Sequence, residues 1–272
     1  MPELPEAECW GRRVAERACG GRVIEKVWAK PDERIVIADV SPKELAAAMT
    51  GRRVEACHRK GKQMWWTLSP RADGEARQPL WHFGMTGRFR EYGASDDRPR
   101  FTKVELTLED GRRFAFVDPR RFGRVRLLED PPNQPPLSQM GPDALLELPH
   151  AKWWIEKLAK RKTPIKALLL NQSLLAGVGN WIVDEVLYQA RVAPHRLASD
   201  LSVAEVKRVR SKLRHVLTKA CDWDADYTRF PQTWLFHHRW GKKRDALTGR
   251  GEEIEFDTVG GRTTAWVPKV QV

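Results

Sequence analysis

The hydrophobic period of the chain changes three times. Leu4 to Cys19 has apolar residues at helical spacing, and Gly20-Gly21 predicts its end, since glycine adopts the left-handed backbone of a helix stop at no steric cost. A series of short alternating segments follows: Arg22 to Trp28, Arg34 to Ala38, Arg53 to Arg59, Gln63 to Leu68, Leu80 to Phe83, Arg88 to Tyr92, Lys103 to Leu108, Arg113 to Val117 and Arg124 to Leu127. β-Branched and aromatic residues fill these segments and turn residues separate them, which predicts strands, with a short helix at Pro42 to Met49 between them. Many short strands after one long helix predict a β-sandwich flanked by helices. The run Asp130-Pro131-Pro132-Asn133-Gln134-Pro135-Pro136 reads as linker, the period is helical from about Pro142 to Ala220, and the C-terminal stretch returns to short strands. The expected division is an N-terminal domain over 1–130, a linker over 131–149, a helical domain over 150–230 and a small β element over 231–272, an α+β multidomain chain.

One helical stretch carries more detail than its period. In TPIKALLLNQSLLAGVGNWIVDEVLYQARVAP, residues 163–194, Thr163 is placed to cap, Pro164 suits a first helical position and the apolar run through Leu170 faces a core. Gly177-Val178-Gly179-Asn180 then turns into a second helix. Glycines let a phosphodiester backbone come close, and a helix start offers free amides and a positive dipole end, so a phosphate can dock there with Asn180 as a further donor. An ordinary helical hairpin with glycine caps fits the same four residues.

Charge narrows the partner. The chain has 272 residues, with 48 Lys and Arg against 36 Asp and Glu, a formal charge of +12 and a pI near 9.8. Such a surplus favours a polyanion through counterion release, and nucleic acid is the first expectation. No apolar run approaches a membrane span and the start has no leader-like pattern, so the protein is expected inside the cell with no membrane partner. Cys9, Cys19, Cys57 and Cys221 are scattered without a C-x-x-C pair, and the adjacent His237-His238 lacks nearby thiolates, so reduced structural cysteines and no metal site are expected.

The start, Met1-Pro2-Glu3-Leu4-Pro5-Glu6, admits two readings. Removal of Met1 would expose a secondary amine at Pro2, which titrates near roughly 7.7 to 8.0 and can attack a sugar aldehyde carbon to give a Schiff base. On these residues alone, a proline that simply begins a helix is the plainer reading.

The chain as a whole resembles the formamidopyrimidine-DNA glycosylase and endonuclease VIII family of base-excision repair enzymes. The likeness runs nearly end to end through PELPE, Arg59-Lys60-Gly61-Lys62, His82-Phe83-Gly84-Met85-Thr86-Gly87, Asp118-Pro119-Arg120-Arg121-Phe122-Gly123, GVGNW and Gly260-Gly261-Arg262-Thr263-Thr264. It implies an N-terminal β-sandwich, a helix-two-turns-helix domain and a C-terminal β-hairpin finger. Phe236 to Pro268 lacks the cysteines with which many relatives bind zinc, so the chain resembles the zincless-finger branch, its hairpin held by packing of Trp234, Phe236, Trp240, Ile254, Phe256 and Trp266.

The resemblance also implies roles. Pro2 would be the nucleophile, Glu3 would manage protons on the sugar, and Lys62 would neutralise a phosphate beside the lesion. His82, Asn180 and Arg262 would bind DNA, Asn180 and Arg262 clamping a kinked backbone from two domains. Met85, Arg120 and Phe122 would fill the space left by a flipped nucleotide. Bland readings stand beside each: Glu3 and Glu6 suit a helix dipole, Lys62 suits a solvated turn, and Met85 and Phe122 suit a core. The implied activity is a bifunctional glycosylase and AP lyase acting on damaged double-stranded DNA as a monomer without cofactor, in the cytoplasm or nucleoid of a bacterium or the nucleus of a eukaryote. Strand cleavage would proceed by β,δ-elimination. The alternative is a catalytically silent damaged-DNA-binding protein, which would keep Asn180, Arg262 and the wedge but could lose Pro2 or Glu3, both present in this sequence; helix-two-turns-helix segments also occur in ribosomal and topoisomerase proteins. A short segment from Cys221 to Trp234 favours oxidised pyrimidines, ring-opened purines, hydantoins and abasic sites over 8-oxoguanine.

Overall fold

The amphipathic start folds as one helical rod of changing pitch in the computed structural model, which describes residues 2–31, 36–72, 74–242 and 245–272. Leu4–Glu6 is α-helical, Ala7–Arg12 widens to π geometry and Arg13–Cys19 returns to α. The π stretch is invisible to a 3.6-residue period, and such segments concentrate at functional sites. Gly11 lies in it, and a Cβ there would stand 2.1 Å from Met64 Sδ and 3.2 Å from Phe83 Cζ, so the rod rests on the sheet through a missing side chain. The helix stops at Gly20-Gly21 as expected, Gly20 keeping φ −54° and Gly21 taking the left-handed φ of 75°.

The chain divides into two compact units, residues 1–139 and 140–272. In the first, eight strands form two antiparallel sheets. β1 (Ile24–Ala29), β6 (Thr102–Leu108), β7 (Arg113–Val117) and β5 (Arg88–Tyr92) lie in that order, and β2 (Val54–Lys60), β3 (Gln63–Leu68), β4 (Gln78–His82) and β8 (Arg124–Leu128) in the other. Trp66 and Trp81 of one sheet meet Phe89, Phe114 and Phe116 of the other, with ring centroids 5.4 to 5.8 Å apart. These rings centre one core, which closes the expected sandwich. The helix Pro42–Met49 has a Ser41–Glu44 capping box. Of the strand expected over Arg34 to Ala38, Arg34 and Ile35 lie outside the described residues, and Ile37 makes a single parallel bridge to Val125.

The proline-rich segment is folded rather than an open tether. Pro131–Asn133 and Leu137–Gln139 form 3-10 turns, with Pro131 and Leu137 buried. In the second unit the helices are Ala151–Leu158, Ile165–Leu169, Asn180–Ala190 and Val203–Asp222, followed by the hairpin of β9 (Glu255–Val259) and β10 (Arg262–Trp266). Thr163 does not cap. Pro164 itself occupies the cap position, and the Thr163 carbonyl accepts the amide of Ala198 at 2.9 Å.

Arg52 shows how the sandwich treats an internal charge. It is fully buried, and its guanidinium donates to the carbonyls of Ser69 at 2.6 Å, Ala48 at 3.1 Å, Arg77 at 2.5 Å and Leu68 at 3.0 Å. Removing it strands acceptors that each cost about 1–3 kcal/mol when buried unpaired. Arg52→Ala is expected to lower stability by at least about 3 kcal/mol in a denaturant titration; a loss under about 1 kcal/mol would contradict this account.

Candidate functional site

The N-terminus is held by its own carboxylates. Glu3 is 1% exposed, its amide donates to Glu6 Oε2 at 2.8 Å, and the two residues form a capping box. Glu6 is therefore engaged in structure. Pro2 is half-buried at the mouth of this turn.

One turn further on, Glu8 ties the helix to the β2–β3 hairpin. Arg59, whose side chain is fully buried, donates to Glu8 Oε2 at 2.9 Å and to the Gly61 carbonyl at 2.9 Å. Arg12 and Arg13 close on the same carboxylate at 2.6 and 3.2 Å. Burial works to raise the pKa of Glu8, but the hydrogen bonds from Arg12 and Arg59 outweigh it and hold the carboxyl at about 2. The hairpin so anchored carries Lys62 next to Gly61, whose φ of 59° makes the turn. His82 joins this group because Gln63 pairs with His82 across β3 and β4. The Gly84 amide donates to His82 Nδ1 at 3.1 Å, which leaves the imidazole neutral with its proton on Nε2. Burial first, then the positive charges of Lys62, Arg124 and Arg126, lower its pKa to about 4.

Asp118 organises the end of the sandwich that carries the proposed void-filling residues. Fully buried, it accepts from Thr86 Oγ1 at 2.7 Å, the Arg120 amide at 3.2 Å and the Gly123 amide at 2.7 Å. Gly84 touches the Phe122 backbone so closely that a Cβ would lie 2.3 Å from its carbonyl carbon. The turn with Met85 and the loop with Arg120 and Phe122 are thus one assembly. Phe122 is 48% exposed with the Arg120 guanidinium 5.1 Å from its ring centroid, which removes the core-packing reading for that residue. Met85 is half-buried.

In the second unit Asp184 plays the corresponding part. Lys166 Nζ lies 2.6 Å from its Oδ1, Arg239 lies 2.7 Å from its Oδ2, and the Ala265 amide of β10 donates to Oδ2 at 3.1 Å. Lys166 also donates to the Thr263 carbonyl at 3.1 Å, as does Asn180 Nδ2 at 2.9 Å. The hairpin is therefore fixed to the helices by hydrogen bonds from its backbone to this charged cluster and to Asn180, and packing alone, the sequence expectation, is incomplete. Ile254 and Phe256 do pack with Tyr188, Leu235, Ala265 and Val267. Trp234 and Phe236 instead join Trp181, Trp223, Tyr227 and Phe230 on the helical module, Trp240 leans on Phe236, and Trp266 meets His195. Arg262 is exposed beside the Gly260-Gly261 turn, both glycines having positive φ. Gly260 is also tight against the helix: a Cβ would sit 2.7 Å from Ala167 Cβ.

Sequence reasoning missed Glu8, Asp118, Lys166, Asp184 and Arg239. Each has a defining partner distant along the chain, Glu8 and Arg59 being 51 residues apart and Thr86 and Asp118 32, so local spacing does not announce them. The four cysteines are buried.

Both halves of this architecture have counterparts. Residues 1–125 match the family model of the formamidopyrimidine-DNA glycosylase N-terminal domain and residues 140–232 that of the formamidopyrimidine-DNA glycosylase H2TH domain. A sandwich led by a buried N-terminal helix, together with a helix-two-turns-helix unit, defines a class of DNA-repair protein. Within that class, the chain belongs to the formamidopyrimidine-DNA glycosylase family. It is 40% identical to a formamidopyrimidine-DNA glycosylase of Arabidopsis thaliana over 100% of this chain and 71% of that protein. It is 31% identical to one of Geobacter metallireducens over 100% of both. The solved Lactococcus lactis formamidopyrimidine-DNA glycosylase, non-covalently bound to DNA containing an AP site, superposes with a TM-score of 0.84 at 26% identity, covering 99% of each chain.

Two pH responses follow. The folded pKa of Glu8 lies below its ordinary 4.5, so its stabilisation is present above that value and is lost as pH falls toward about 2; Glu8→Gln should flatten this part of an acid-unfolding curve while lowering stability at pH 7. Glu185 behaves oppositely. Fully buried, it accepts from Gln189 at 2.7 Å and from the Phe236 amide at 2.8 Å, and burial raises its pKa to about 7. Its stabilisation is present below the ordinary 4.5 and is lost as pH rises through about 7, so Glu185→Gln should raise the Tm at pH 8 more than at pH 5. An equal change at both pH values would contradict a raised pKa.

Proposed function

We propose that this protein is a bifunctional DNA glycosylase and AP lyase of base-excision repair, using Pro2 as nucleophile. The observation that carries the reading is the buried Glu8–Arg59 pair, which fixes the helix led by Pro2 and Glu3 to the hairpin bearing Lys62.

With Met1 removed, the Pro2 nitrogen attacks C1′ of the damaged nucleotide as the glycosidic bond breaks and the base leaves with a proton. Glu3 protonates the sugar ring oxygen, and ring opening gives an iminium on Pro2. Loss of a C2′ proton then expels the 3′ phosphate, a second elimination expels the 5′ phosphate, and water releases the sugar fragment from Pro2. The placement of Glu3 supports this role: it is buried directly beside Pro2 at the head of the helix. Lys62 balances the phosphate charge. Neutral His82 donates through Nε2 to a phosphate oxygen, a bond that survives across the working pH range because its pKa is held near 4.

Asn180 and Arg262 bind backbone phosphates from the second unit, which Arg262 does with a bidentate fork. Met85, Arg120 and Phe122 occupy the gap left by the extruded nucleotide; the exposure of Phe122 and its pairing with Arg120 support this use. The chain acts as a monomer on double-stranded DNA. For substrate, the segment after Val203–Asp222 is drawn into the aromatic cluster of Trp223, Tyr227, Phe230 and Trp234. This supports a preference for oxidised pyrimidines, hydantoins, formamidopyrimidines and abasic sites over 8-oxoguanine.

Borohydride trapping on an abasic duplex tests the chemistry. The Met-processed protein should form a covalent adduct, whereas a form with one extra residue before Pro2, whose nitrogen is then an amide, should bind the duplex and form none. Equal trapping by both forms would exclude Pro2 as nucleophile. Glu3→Gln should lower base excision by at least about 100-fold, the usual worth of a positioned acid, while leaving abasic-site binding in place.

A further inference from the structure

We infer that Phe101, with Arg100, is a second nucleobase-stacking element beside the void-filling loops; the inference rests on the DNA-repair reading above. Phe101 has φ 64°, a left-handed backbone that a bulky side chain adopts at a cost of about 1–3 kcal/mol and keeps only where surrounding structure enforces it. Here the enforcement is visible. The Phe101 carbonyl accepts the amide of Asp118 at 3.1 Å, and on the other side the Thr102 amide and hydroxyl both reach back to the Pro99 carbonyl, at 3.3 and 2.6 Å. The ladder slips one residue between Thr102 and Val104 where β6 pairs with β7, a bulge of the kind that re-aims a strand end.

The strain maintains an exposed ring. Phe101 is 51% exposed, in a chain whose other sandwich phenylalanines, Phe122 excepted, are buried. Its surroundings repeat those of Phe122. The Arg100 guanidinium lies 5.2 Å from the Phe101 ring centroid, and the Arg120 guanidinium lies 5.1 Å from that of Phe122. Asp118 links the two pairs: its amide holds the Phe101 carbonyl and its carboxylate holds the amides of Arg120 and Gly123. One buried residue thus presents two Arg–Phe pairs at the same end of the sandwich, with Arg88 and Arg121 exposed there as well.

Exposed aromatic rings among arginines match the chemistry of a base face flanked by phosphates. A protein partner would also accept a phenylalanine, but the density of positive charge and the continuity with the void-filling loops favour DNA. The ring stacks on a base of the strand that those loops engage, while Arg100 pairs with an adjacent phosphate.

Affinity for an abasic-site duplex, measured over a range of salt concentrations, tests the assignment. Phe101→Asn and Phe101→Gly both tolerate the left-handed backbone, so the Tm should hold or rise. Each should weaken binding roughly tenfold, the worth of one aromatic stack, without changing the slope of log Kd against log salt. Phe101→Trp should bind like the parent. Arg100→Gln should instead reduce the salt slope by about 1, as expected for one phosphate contact. If both ring-removing variants bind within twofold of the parent while Arg262→Ala weakens binding, the Phe101 assignment fails and the DNA reading stands. If Arg262→Ala also leaves affinity unchanged, the DNA reading fails with it.

Discussion

The buried pair of Glu8 and Arg59 is the contact on which the geometry of the first unit's candidate site depends. Transferring two charges into a protein interior costs several kcal/mol for each, and their mutual attraction repays that only when the remaining hydrogen-bonding capacity is met. Here it is met: Glu8 receives Arg12 and Arg13 as well, and Arg59 also donates to the Gly61 carbonyl. A helix laid on a sheet by apolar contacts alone can slide by fractions of an ångström among similar packings. A directional pair between the second turn of the helix and the tip of a hairpin resists such sliding, and the two elements it joins are those that carry Pro2, Glu3 and Lys62. Gly11 serves the same end beside it, since its missing side chain lets Met64, the cross-strand neighbour of Arg59, and Phe83 close in.

The second unit solves a related problem with a different carboxylate. A five-residue strand pair has too little apolar surface to fold alone, so its position must come from outside. Asp184 supplies it, holding Lys166 from one helix, Arg239 from the connecting loop and the Ala265 amide of the hairpin itself. Lys166 and Asn180 then share the Thr263 carbonyl, so the helix start bearing Asn180 and the strand bearing Arg262 are in register through a single backbone oxygen. The apolar cluster around Leu235 and Ile254 adds burial beneath this polar hub. Direction comes from the hydrogen bonds to the charged cluster and to Asn180, and adhesion from the apolar contacts.

Strand-and-helix order was legible from period and turn residues, and several segments, Gln63–Leu68 and Pro42–Met49 among them, fall where alternation and capping chemistry predict. Features set by tertiary contact were not legible. The π stretch at Ala7–Arg12 and the cap at Pro164 are not announced by period, Glu8 and Asp184 act through partners distant in sequence, and Asp118 joins its own loop to the distant Thr86. The candidate site shows the same split. Pro2, Lys62, Asn180 and Arg262 could be named because they lie in motifs. The buried carboxylates that hold their loops in place look, in sequence, like any other acidic residue.

That division has a physical basis in what an exposed functional side chain requires. Phe122 and Arg120 gain little by packing within the protein, so nothing about them fixes their loop, and a loop that presented them loosely would spend binding energy on ordering it. A fully buried Asp118, receiving two backbone amides and a hydroxyl, transfers the cost of order to folding, where many contacts share it. Side chains on such a loop can then be exposed and even strained, as Phe101 is, because the carboxylate behind them is not. Exposed apolar groups on loops braced by buried charge are therefore a physical signature of a preorganised recognition surface, and in this chain both Arg–Phe pairs carry it.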